Sequence, residues 1–132
     1  MTVTEQNRLL IFERRVLRKI SGPTQDNDGT WRIKTNEELG ILIKKKTIVR
    51  FIKSQRLHWA AHVIRMDTIR TVKKLAEWES CSSRQVGRPR LRWLEQVKED
   101  LKEMNVRNWR EKCKDRGLWN EIIKQAKTHQ GL

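Results

Sequence analysis

The chain has 132 residues, of which 36% are hydrophobic, and its 30 Lys and Arg against 16 Asp and Glu leave a formal net charge of +14 and a sequence pI near 10.5. Such a thin apolar supply favours small lobes around the 6 tryptophans over one thick core, and the charge imbalance favours a polyanionic partner, with nucleic acid the first candidate. A membrane is the rival polyanion, but no run approaches the ~18 to 20 apolar residues of a spanning helix and Met1 to Leu10 lacks a signal-peptide core, so an intracellular, nuclear protein with no membrane partner is expected.

Leu9, Phe12, Val16, Leu17 and Ile20 recur at helical spacing, and Ser21-Gly22-Pro23 supplies the stop, which predicts a first amphipathic helix. Residues 24 to 35 are polar and hold the turn signal Asp28-Gly29. The alternation in Trp31-Arg32-Ile33-Lys34 is too short to establish a strand, so this segment reads as a loop anchored by Trp31. Thr35 and Glu38 form a capping-box pattern that starts a second helix at Asn36, running through Leu39 and Leu42 toward Lys44-Lys45-Lys46.

From Thr47, the series Ile48, Ile52, Trp59, Val63 and Met66 predicts the longest helix, with Arg50, Lys53, Arg56 and Arg65 mostly on its other faces. A weaker pattern through Ile69, Val72, Leu75 and Ala76 ends near Trp78. Small and polar residues from Glu79 to Gly87 then break the periodicity. Pro89 suits the first turn of a further helix, whose stripe Leu94, Val97, Leu101 and Met104 stops at Asn105. Two shorter helices follow, one from Asn108 with Trp109 and Cys113, the other from Asp115 with Trp119, Ile122, Ile123 and Ala126. The expected fold is all-α, with about five to seven helices in one or two small lobes: residues 1–79, a basic Ser/Gly linker over 80–88, and residues 89–132.

No arrangement of catalytic groups stands out. Glu37-Glu38 and Glu99-Asp100 are adjacent pairs that point in different directions on a helix, which suits solvated charge. His58 and His62 share a helical face, but no nearby Asp, Glu or Cys completes a ligand set; a buried or half-buried, hydrogen-bonded His62 is expected, and no metal or cofactor. Cys81 and Cys113 are too far apart for a zinc knuckle and read as reduced thiols. The interval from Trp59 to Trp78 matches a Myb-type repeat, but the following tryptophan intervals break it.

Binding signals are clearer. Arginine and tryptophan interleave in Arg56 to Met66 and in Gly87 to Trp93, a composition suited to neutralising phosphates while offering flat apolar area. Gly87-Arg88-Pro89 is the core of an AT-hook that could enter a narrow minor groove; a glycine hinge followed by a proline helix start accounts for the same letters and is preferred. Arg84, Arg88, Arg90 and Arg92 are candidate phosphate contacts under either reading, and Lys44, Lys45, Lys46, Arg50, Lys53 and Arg56 form a second candidate strip. Trp59, Trp93, Trp109 and Trp119 lie on or beside apolar stripes and are expected chiefly as core anchors, with base stacking the other use.

Five blocks carry a resemblance: Phe12 to Pro23 (FERRVLRKISGP), Asp28 to Leu39 (DGTWRIKTNEEL), Arg56 to Met66 (RLHWAAHVIRM), Gly87 to Leu101 (GRPRLRWLEQVKEDL) and Trp109 to Leu132. In this order they resemble the extreme C-terminal region of endonuclease-reverse transcriptases of non-LTR, RTE-like retrotransposons (LINE elements). The chain departs from that pattern at Ala60-Ala61, Val86, Cys113 and Gln130. The resemblance implies a thumb-adjacent, C-terminal module that grips template RNA or target DNA during target-primed synthesis, with the RNA-directed DNA polymerase palm and the endonuclease lying upstream. No aromatic-preceded Asp-Asp pair occurs here, so the expectation is a non-catalytic nucleic-acid-binding fragment whose partners are RNA or DNA and the parent's polymerase body. The alternative is a helical protein-protein interaction module or the inert remnant of a truncated element copy.

Overall fold

The computed structural model describes residues 1–78 and 93–129. Seven helices and one two-stranded hairpin occupy them, in the order α1 (Val3–Ser21), β1 (Thr24–Gln25), β2 (Trp31–Arg32), α2 (Asn36–Leu42), α3 (Ile48–Arg65), α4 (Thr71–Glu77), α5 (Trp93–Glu103), α6 (Trp109–Lys112) and α7 (Arg116–Ala126). The all-α expectation holds. The linker over 80–88 and the proline start at Pro89 lie outside the described residues.

Local chemistry sets several helix ends. Thr2 with Glu5 and Thr35 with Glu38 each close a reciprocal capping box, and the side chain of Asp115 accepts from the amides of Gly117 and Leu118 at the start of α7. Gly22 ends α1 with φ 65, and Asn105, just beyond α5, has φ 55, a left-handed geometry that Gly and Asn tolerate best. One cap is long-range: Glu13 of α1 accepts from the first amide of α3, Ile48, at 2.7 Å; nearer in sequence, Lys73 of α4 donates to the carbonyls of Ile64 and of Met66, the residue that ends α3, at 3.0 and 2.9 Å.

The segment expected as a loop is a hairpin. Thr24 pairs with Arg32 and Gln25 with Trp31, while the turn is closed by Gly29 with φ 85 and by Asp28, which accepts from the amide and hydroxyl of Thr30. Each strand is only 2 residues long, below the length at which alternation becomes visible. Trp31 does not anchor it, being 67% exposed. Arg32 does so instead, with Nε on Asp26 at 2.8 Å and Nη1 and Nη2 on the two Glu38 oxygens at 2.9 and 2.6 Å. That fork ties the hairpin to the α2 capping box. Arg18 adds a second tie, reaching from α1 to the Lys34 carbonyl and the Asn36 side chain.

The core lies where α3 meets α5 and α7. Leu57, Ala60 and Ala61 from α3 pack with Val97 and Leu101 from α5, Cys113, and Trp119, Ile122, Ile123 and Ala126 from α7; Trp93, Met104 and Trp109 border the cluster. Residues from both sides of the 79–92 stretch therefore share one apolar centre. The phase of α3 differs in part from expectation, since Val63 of the expected stripe is buried at 1%. Ile52 and Trp59 are 38% and 49% exposed, whereas Val49, Lys53, Leu57, Ala60 and Ala61 turn inward, because two adjacent alanines let α7 approach closely where a bulkier pair would hold it off. Among the described residues α1 is the longest helix, at 19 residues, and with Phe12 and Ile20 exposed it lies on the molecule's surface.

Candidate nucleic-acid interface

Lys44, Lys45 and Lys46 occupy the turn between α2 and α3 and are all exposed. Their amides continue the helix end through Ile41, Gly40 and Ile43 carbonyls at 2.9, 2.8 and 2.9 Å. Lys44 and Lys45 adopt left-handed backbone geometry, with φ 50 and 59. Arg50, in the first turn of α3, donates from Nη1 to the Lys45 carbonyl and thus braces the turn. Lys46 also borders a cleft of about 480 Å³ with Phe51 and Lys127. Four residues of the expected strip are therefore brought together at one corner.

Lys53 and Arg56 do not join them, which corrects the expected strip. Lys53 is 6% exposed, with Nζ 3.7 Å from Asp100 and 3.5 Å from Glu103. Arg56 binds Asp100 through Nε at 2.9 Å and through Nη2, and Gln96 through Nη1 at 2.6 Å. Their charge is spent inside the α3–α5 contact, since an inward-facing guanidinium must be paired rather than offered to a phosphate. Burial lifts the Asp100 carboxyl above its ordinary value, against the downward pull of Arg56 and Lys53. Arg84, Arg88, Arg90, Arg92 and Cys81 lie outside the described residues, as does the Gly87-Arg88-Pro89 motif.

The remaining candidates sort by burial. Trp119 is 2% exposed and is the central anchor. Trp93 and Trp109 border the core, while Trp59 and Trp78 are exposed. His62 is exposed rather than half-buried, its ring 5.2 Å from that of Trp59 at a 41° tilt, because α7 packs beside this part of α3 without covering it. Arg65, read as one of several arginines, is fixed by donating to the Cys113 carbonyl at 2.7 Å. The fold sets Arg65 and Arg116 beside His58 and His62, a grouping that separation along the chain hid from the sequence. Among the described residues, no three His, Cys, Asp or Glu are arranged to hold a metal ion, and no helix is long and apolar enough to cross a membrane. Burial pushes the Cys113 thiol up to about 12, so it is a packing group rather than a nucleophile.

These features define a small, strongly basic helical unit with an exposed lysine corner. Over 99 residues, 70% of this chain, it is 25% identical to an uncharacterised transposon-derived protein of Caenorhabditis elegans. The matched part spans 36% of that protein's length, about a third. No family model matches the chain, and no solved structure matches it.

Proposed function

We propose that the chain is a non-catalytic, nucleic-acid-binding segment from the C-terminal part of a non-LTR retrotransposon reverse transcriptase. The observation that carries this reading is the placement of charge: Lys44, Lys45 and Lys46 stand exposed on one turn that Arg50 braces. Backbone phosphates reward such clustered, sequence-blind cations, and the net charge of +14 supplies long-range attraction. Similarity to a transposon-derived protein supports the lineage. RNA-directed DNA synthesis and strand cleavage belong, in this reading, to the parent.

Fluorescence-anisotropy titration of the purified chain against a short RNA and a duplex of equal length, at several salt concentrations, tests the proposal. If about five phosphates of a single strand are neutralised, log affinity falls with log salt at a slope of roughly −3.5, and replacing Arg88, Arg90 and Arg92 together flattens it. Absence of salt-dependent affinity for either nucleic acid near physiological ionic strength overturns it.

A second reading, a protein-protein interaction module, draws on the exposed side chains of Phe12, Ile20, Ile41, Leu42, Ile69 and Leu75. A concentration-dependent mass above monomer without any nucleic-acid binding favours it.

A further inference from the structure

A cleft of about 330 Å³ separates the C-terminal half of α3 from the start of α7, lined by His58, His62, Arg65, Arg116, Trp119 and Asn120. Residues 58, 62 and 65 fall on one face of α3, and residues 116 and 120 stack one turn apart on α7, so two rows of donors face each other. No carboxylate is among the described residues that line it. Asp115 is nearby in sequence, and its Oδ1 already accepts from the Gly117 and Leu118 amides at 2.7 and 3.2 Å. An anion here is therefore held by side chains and not by the helix amides.

The cleft is built on rigid supports. Its floor is Trp119, buried and hydrogen-bonded to the Leu57 carbonyl at 3.1 Å. Arg65 is aimed by its Cys113 contact, which uses one of its five N–H groups and leaves others to donate. The half-exposed Trp59 ring lies against His62, one of the lining residues, so a flat indole adjoins the cationic cleft and offers a stacking surface.

We propose that this cleft is a phosphodiester subsite for single-stranded nucleic acid, with Arg116, His58, His62 and Arg65 on the phosphate and the adjoining base stacked on Trp59. It deepens the nucleic-acid-binding reading above, on which it rests, and adds a contact separate from the lysine corner. The rim aromatic favours a nucleotide over an acidic peptide, which needs no ring to stack on, and over free phosphate, whose binding is indifferent to Trp59.

The test uses the full chain with a fluorescein-labelled single-stranded RNA twelve nucleotides long, titrated at several salt concentrations. Arg116 and Trp59 are exposed, so Arg116→Gln and Trp59→Ala should keep the fold, which circular dichroism and urea midpoints check. The expected result is a salt slope flattened by about 0.7 in Arg116→Gln and an affinity loss of roughly 5- to 150-fold in Trp59→Ala. Wild-type slope in the first variant or wild-type affinity in the second overturns the subsite. If at the same time Lys44→Gln/Lys45→Gln weakens binding, the general reading survives while the cleft is excluded. A wild-type chain that does not bind at all removes both.

Discussion

The indole Nε1 of Trp119 donates to the backbone carbonyl of Leu57, 62 residues earlier, across the contact between α7 and α3. It joins the deepest aromatic to the centre of the helix against which α1, α4, α5 and α7 all pack. Trp119→Phe, which keeps a ring but loses the donor and part of the volume, should cost about 1 to 3 kcal/mol. Trp119→Ala should cost about 3 to 5 kcal/mol, a large share of the roughly 5 to 15 kcal/mol typical of a domain. Urea denaturation followed by far-ultraviolet circular dichroism measures both, and a loss under 1 kcal/mol for the alanine variant would show that α7 is not what closes the core.

Asp100 holds Lys53 and Arg56 together, and its removal leaves two inward cations without it. Asp100→Ala, which removes the acceptor as well as the charge from both cations, should destabilise by about 3 to 5 kcal/mol, whereas the triple replacement Lys53→Met, Arg56→Leu, Asp100→Leu should be neutral or even stabilising. The pH dependence has an unusual sign. Because burial raises the Asp100 carboxyl above its ordinary value, the folded state holds that proton more tightly than the unfolded chain does. Its contribution to stability is full below the unfolded value of 3.8 and is lost as pH rises through the raised one. Urea midpoints of wild type and Asp100→Asn across acid pH isolate this contribution. If its loss occurs on acidification instead, the paired cations outweigh desolvation.

Glu38 behaves in the opposite way. The Arg32 fork and the Thr35 amide lower its carboxyl from 4.5 to about 2. The stabilisation is therefore present above pH 4.5 and lost as pH falls through about 2. Hairpin amide resonances of Trp31 and Arg32 should shift over that acid window, and Arg32→Gln should move the Glu38 titration back toward its ordinary value. An unchanged titration in the variant would mean that the fork does not form in solution.

Lys44 and Lys45 carry side chains on left-handed backbone, where an L residue is strained by about 1 to 2 kcal/mol and glycine is not. Replacing each with Gly should leave stability unchanged or raise it by up to about 1 kcal/mol, after glycine's greater entropy loss is offset. The same double change should weaken nucleic-acid affinity and flatten the salt slope by about 1.4 for single strands, given two lost contacts. Stability loss with unchanged affinity would contradict both halves.

The parts of the fold that were legible in the sequence are those decided within a few residues. Thr35 with Glu38, Gly22, Asp115 and Asn105 are local signals, and each ends or begins a helix where expected. The inward face of α3 was not legible, because Lys53 and Arg56 look like solvent-facing cations until Asp100, 44 residues beyond Arg56, arrives to pair with them. Large apolar letters also misled: Ile52 and Trp59 suggested a stripe, but Ala60 and Ala61 make the contact. For the same reason Lys44, Lys45, Lys46 and Arg50 could be grouped from sequence, whereas Arg116 could not be placed beside His62.

The apolar face of α3 is covered mainly by α5 and α7, which follow it along the chain. At the usual ~5 to 20 residues per second of synthesis, the interval between Leu57 and Ala126 leaving the ribosome is on the order of 3 to 14 s. Over that interval α5 emerges first, and the part of α3 that packs on α7 stays open until α7 follows. Docking of α7 is therefore the event that completes the cover over α3, and its delay behind α3 in synthesis sets how long the Trp119 side of the core stays open.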